Sequence, residues 1–107
     1  MGLSFSLRKM VLSDVFDTNM THNVGQMADL AGVYDCLWRP EENGFTTAGQ
    51  MIEPLTKAVE QLRADPEKFI ALNPKNGWGS YDTFLPWIEK ILAACQEHPD
   101  AEPVSDR

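Results

Sequence analysis

Leu3-Ser4-Phe5-Ser6-Leu7-Arg8-Lys9 alternates apolar and polar side chains residue by residue. A period of two puts Leu3, Phe5 and Leu7 on one side of an extended backbone and Ser4, Ser6 and Arg8 on the other. The spacing predicts a half-buried strand over residues 3–9. Beyond about residue 20 the apolar positions recur at the 3.6-residue period of helices instead. A strand ahead of a helical chain sets the expected class: a single α+β domain, mostly helical, with three main helices. Val11 to Thr18 reads either as a short helical turn or as an extended crossing. The tail, residues 100–107, either pairs as an edge strand beside residues 3–9 or is a disordered extension. Pro103 argues against the strand, because proline cannot donate to a ladder.

The first helix is expected from about Thr21 to Trp38. Met20, Val24, Met27, Ala31, Tyr34 and Trp38 form its apolar stripe, with His22, Gln26 and Asp29 opposite. Gly25 and Gly32 weaken it by roughly 1 kcal/mol each relative to alanine, a cost tolerable where a backbone or a ligand comes close. Arg39-Pro40 ends it. Thr47-Ala48-Gly49-Gln50 has the form of a capping box. The helix behind it buries Met51, Ile52, Leu55, Ala58, Val59 and Leu62, and Pro54 predicts a kink or restart. Asp65-Pro66-Glu67 is a fresh start signal. The last helix opens near residues 80–82 and runs to about Glu97, with Tyr81, Phe84, Leu85, Ile88, Ile91, Leu92 and Cys95 on its stripe.

At 107 residues the chain has room for one domain. The formal net charge is -7, and no basic patch offers counterion release on a phosphate backbone, so direct nucleic-acid binding is not expected. No stretch approaches the ~20 apolar residues of a membrane span. Gly2 and Ser6 match the outline of a myristoylation signal, but the residues around them alternate like a strand. Cys36 and Cys95 make no disulfide framework and no Cys-x-x-Cys, and are expected to be free thiols in a reducing cytoplasm. No histidine and cysteine spacing suits zinc, no glycine-rich loop suits phosphate, and no cofactor is expected. Trp87, at the margin of the last helix's stripe, is expected to be partly exposed, which favours a homodimer over a monomer.

The residues with binding chemistry fall in two tryptophan-bearing segments, Thr21 to Glu42 and Asn73 to Tyr81. His22, Asn23, Trp38, Arg39, Asn76, Trp78 and Tyr81 set aromatic rings beside amide, imidazole and guanidinium groups. Each has a plainer reading: Thr21 capping a helix, Arg39 stacked on Trp38, Asn76-Gly77 as a turn. The sharper reading makes His22, Gln26 and Asp29 a polar groove and Arg39 an anion-binding fork. The ends of an 18-residue helix are about 25 Å apart, so His22 and Arg39 share a ligand only if the helix breaks at Gly25 or Gly32. The candidates therefore divide into Trp38 and Arg39 with Trp78, or His22 and Asn23 with Asn76 and Tyr81.

Thr18-Asn19-Met20-Thr21-His22-Asn23, Leu37-Trp38-Arg39-Pro40-Glu41-Glu42 and Asn73-Pro74-Lys75-Asn76-Gly77-Trp78-Gly79-Ser80-Tyr81 resemble segments of a family of small phage and prophage proteins, as does Ala94-Cys95 with Pro99-Asp100-Ala101. The resemblance implies a phage-borne accessory protein in a bacterial cytoplasm and assigns no catalytic residue. The expected function is a non-enzymatic binding module whose polar-aromatic surface engages a small polar ligand or a segment of a host protein. The alternative is an acidic inhibitor that docks on a basic surface of a host protein. A hydrolase or transferase built on His22 ranks third.

Overall fold

Nine residues of extended backbone, Gly2–Met10, form β1 at the centre of a three-stranded antiparallel sheet of order β2-β1-β3. The coordinates are a computed structural model that describes residues 2–10, 13–75 and 79–106. Leu3, Phe5 and Leu7 are fully buried, as the alternation requires. The opposite side of the strand, Ser4, Ser6 and Arg8, faces outward, flanked by exposed Asp17 and Asn19 on β2 and by exposed Glu102 and Asp106 on β3. The apolar face joins buried side chains of the helical region in one core, the usual arrangement of an antiparallel sheet with one wet side.

The segment left ambiguous by the sequence is β2, Ser13–Thr21, paired Leu3↔Met20, Phe5↔Thr18 and Leu7↔Phe16. The register shifts beyond Leu7, where Arg8 pairs with Asp14 and Val15 is the extra residue of a bulge. The tail is β3, Glu102–Asp106, with Leu7↔Pro103 in register. Pro103 does not prevent this, because β3 is an edge strand and half of its backbone groups need no strand partner.

The single helix expected over Thr21 to Trp38 is not there. A 3₁₀ turn, His22–Val24, leads into α1, Gly25–Leu30, and α2 follows as Tyr34–Trp38. Gly32 sits between them at φ +82°, a left-handed conformation that ends α1 and reverses the chain. Val33, off the expected stripe, becomes fully buried as a result. The helix break is what brings the two ends of this segment together.

Gln50 closes the capping box on Thr47 and opens a 3₁₀ turn, Ala48–Met51, which passes into α3, Ile52–Ala64. Pro54 is the third residue of α3, where the backbone N–H has no intrahelical partner to lose. α4 is Pro66–Ile70, with Pro66 in its first turn. α5, Tyr81–Glu97, opens at a second capping box, in which Thr83 Oγ1 accepts from the Ser80 N–H at 3.0 Å. Pro86 lies in its sixth position and faces solvent, at the cost of one backbone bond. The description is therefore α+β with five α-helices among the described residues, rather than three main ones. The turn after α5 docks on the 3₁₀ turn ahead of α3, where the Ala48 N–H donates to the Ala101 carbonyl and the Gly49 N–H to the Pro99 carbonyl, each at 2.8 Å. That contact aims the tail at the free edge of β1.

Trp87 is 5% exposed, not partly exposed, and its indole N–H donates to Thr18 Oγ1 at 3.0 Å. The exposure on which the homodimer expectation rested is absent. No helix among the described residues is long and apolar enough to cross a membrane.

Candidate functional site

Trp38 is the hub on which the site is built. Its ring stacks on Tyr34 at 5.2 Å between centroids and 10° between planes, and meets Trp87 edge-on at 6.0 Å. It is 1% exposed, so its indole N–H must find an acceptor inside the protein. That acceptor is His22 Nδ1, at 2.8 Å. Thr21 starts the turn that carries His22, its Oγ1 accepting from the Asn23 N–H at 3.3 Å. The break at Gly32 folds α2 back so that residues 16 apart in sequence share this bond.

The bond decides what His22 offers. An indole nitrogen only donates, so Nδ1 must be the unprotonated nitrogen and the ring hydrogen of neutral His22 sits on Nε2. His22 lines an open cavity of about 470 Å³ together with Asn23, Gln26, Ala71, Leu72, Asn73, Pro74 and Lys75. Opposite the imidazole is the loop between α4 and α5. There Asn73 Oδ1 accepts from the Tyr81 N–H at 2.8 Å, and the Tyr81 hydroxyl donates to the Leu62 carbonyl at 2.6 Å. The far end of the loop comes close at Gly79, where an added Cβ would run into Thr21 and Val24.

The seven residues singled out in the sequence separate. His22 and Asn23 line the cavity. Trp38 is buried and meets the cavity lining through its hydrogen bond to His22. Tyr81 is spent on two structural hydrogen bonds. Arg39 stands apart: its guanidinium donates to Glu42 at 2.8 Å on the surface. That bond, the charge of Glu42 and a contact with Tyr34 push its pKa up. Asn76 and Trp78 lie outside the described residues. The structure thus brings His22 and Asn23 against the loop that leads into Asn76, and it does not bring Arg39 to them. Gln26 lines the cavity as the polar-groove reading has it, whereas Asp29 lines a neighbouring cavity of about 410 Å³ with Gly25, Gln26, Tyr34 and Asp35. Sequence reasoning passed over Asn73 and Lys75 as site residues, though both lie in a segment it quoted.

Comparison of the chain with protein families, with characterised proteins and with solved structures returned no match.

Among the described residues no group of three or more His, Cys, Asp or Glu side chains is placed to hold a metal ion. Cys36 and Cys95 are free and buried. Burial pushes each thiol up to about 12 from 9.0, with the neighbouring Cys95 charge adding to the shift at Cys36. Both values lie above the unfolded one, so the thiol form is the one the fold favours. The expected consequence is twofold. At pH 8 the native protein should react with a thiolate-directed reagent about a thousandfold more slowly than an open cysteine, and guanidinium should release two thiols. Stability should be insensitive to these groups below pH 9 and fall as pH rises from 9 toward 12, because only the unfolded chain releases the protons there. Reagent kinetics with and without denaturant, and alkaline melts against a Cys36→Ala/Cys95→Ala variant, check the two parts.

Proposed function

We propose that this chain is a non-enzymatic binding module, an accessory protein of phage or prophage type, which holds a small polar ligand or a polar segment of a partner in the cavity between His22 and Lys75. The observation that carries the reading is the Trp38-to-His22 hydrogen bond. A general base needs an unprotonated ring nitrogen toward its substrate. Here that nitrogen is turned inward, and the imidazole presents an N–H. Such a ring recognises an acceptor rather than removing a proton. The phage or prophage origin rests on the resemblance of the quoted segments.

The test is a set of two-dimensional amide spectra recorded on the full chain against a collection of small polar fragments. Saturable shifts at His22, Asn23, Gln26, Asn73 and Lys75, with the sheet silent, are expected. A collection that moves none of these amides would sink the reading.

One observation favours the acidic-inhibitor reading as a second choice. The outer side of the sheet carries exposed Asp17, Glu102 and Asp106 around the polar strip of Ser4 and Ser6. A basic partner held there would bind with an affinity that falls steeply with salt, and shifts confined to β1, β2 and β3 would report it.

A further inference from the structure

We infer that the cavity lined by His22, Asn23, Gln26, Asn73 and Lys75 is a site for a monocarboxylate that carries a short apolar body. This rests on the binding reading above and names its ligand. Two obligatory donors of the protein's own fold occupy acceptors on two of the side chains that line the cavity. The Trp38 indole N–H takes His22 Nδ1 at 2.8 Å, and the Tyr81 N–H takes Asn73 Oδ1 at 2.8 Å. What His22 has left to offer is an imidazole N–H, and Asn73 keeps a carboxamide NH₂ beside one remaining lone pair on Oδ1. Lys75 adds an ammonium, and the described residues that line this cavity include no Asp or Glu. Asn23 and Gln26 carry amides that turn either end to a ligand.

A lining with an imidazole N–H, three carboxamide NH₂ groups and one cation can turn several donors at once toward an anion. A carboxylate fits best, because its two oxygens accept from several N–H groups at once and pair with the ammonium. The adjoining cavity restricts the charge: Asp29 and Asp35 line it, and it shares Gln26 with this one. A second negative charge would be repelled by them, which favours a monocarboxylate over phosphate or a polyacid. The volume of about 470 Å³ exceeds what a carboxylate head fills, and Ala71, Leu72 and Pro74 supply an apolar wall for the remainder of the ligand.

The carboxylate has two sources, a free short-chain acid or the C-terminus of a polypeptide. Both are tested by amide-shift titration of the full chain with butyrate, butyramide, N-acetyl-alanyl-alanine, its C-terminal amide and inorganic phosphate. Saturable shifts at His22, Gln26 and Lys75 with the carboxylates and not with the amides are expected. The stronger of butyrate and the dipeptide identifies the source. Lys75→Gln should weaken the carboxylate about threefold, since it removes one exposed charge-assisted contact. It should leave the affinity of any neutral fragment unchanged. Equal binding of acids and amides, phosphate binding as tightly as butyrate, or an unaffected Lys75→Gln variant each overturns the carboxylate assignment. If all five probes fail while other polar fragments still bind at these residues, the carboxylate assignment falls and the binding reading stands. If those fragments fail as well, both fall.

Discussion

Trp38→Ala is expected to cost about 3–5 kcal/mol of folding stability, the range for removing a large buried aromatic. In a domain of this size that lowers the melting temperature by tens of degrees and takes much of a typical total of about 5–15 kcal/mol. The indole is 1% exposed and touches Tyr34 on its face and Trp87 at its edge. The surrounding elements, α2, α5 and the His22 turn, cannot close the space without shifting one another. Trp38→Phe separates packing from hydrogen bonding. It keeps an aromatic ring between Tyr34 and Trp87 but removes the N–H that fixes His22, and should cost about 1–2 kcal/mol. Its sharper signature is at the ligand site, where His22 loses its preferred tautomer. Thermal melts of the two variants check the order; equal and small losses would mean that Trp38 is not the hub described above.

Gly79→Ala is expected to cost about 2–4 kcal/mol, as the sum of backbone strain and overpacking. Gly79 has φ +86°, where a side chain is strained whatever the space around it. A Cβ there would also lie 2.7 Å from Thr21 Cγ2 and 2.8 Å from Val24 Cγ1. Both neighbours are β-branched and stiff, and Val24 is fully buried, so neither swings aside. Gly32→Ala is the internal control: φ is +82°, yet nothing lies within 4 Å of the added carbon. It should show the strain alone, about 1–2 kcal/mol. A melting point lowered no further at Gly79 than at Gly32 would remove the tight seam between the α4–α5 loop and the His22 turn. Because that seam holds one wall of the cavity against the other, Gly79→Ala should weaken ligand binding too.

These two residues also mark where the sequence was legible. The strand at 3–9 was plain because Leu3, Phe5 and Leu7 each bury a side chain and no bulge interrupts them. α5 was plain because its stripe is long and Ser80 caps it. β2 was hidden by its bulge, which sets Val15 beside Phe16 and breaks the period of two. It was hidden also by Thr18, a polar residue on the inner face whose hydroxyl answers Trp87, 69 residues away. The helix over Thr21 to Trp38 was misread because the apolar stripe continues past Gly32 on both sides of the break. Periodicity records which residues are buried, not whether the backbone between them turns. The edge strand at the tail was obscured by Pro103, whose effect depends on which strand lies at the edge.

The site was legible in part for the same reasons. His22, Asn23 and the Asn73–Tyr81 segment stand out by composition, and the structure sets His22 and Asn23 in one cavity with Asn73, Pro74 and Lys75. Arg39 stood out equally but spends its charge on Glu42 within its own turn. Lys75 gives no local signal: it enters the proposed site only because the described residues lining the same cavity include no Asp or Glu, which is a property of the folded surface. The direction of His22 could not be read at all, since it is fixed by an indole donor that reaches it only after the chain reverses at Gly32.

Trp38 holds His22 with Nδ1 inward and a hydrogen on Nε2. Long-range ¹H–¹⁵N correlation of the imidazole at neutral or slightly alkaline pH reads that tautomer. Neutral His22 is expected to show an unprotonated Nδ1 and a protonated Nε2, with the Trp38 indole proton shifted downfield by its hydrogen bond and both features lost in Trp38→Phe. A neutral ring protonated at Nδ1, or one averaging between tautomers like an open histidine, would contradict it.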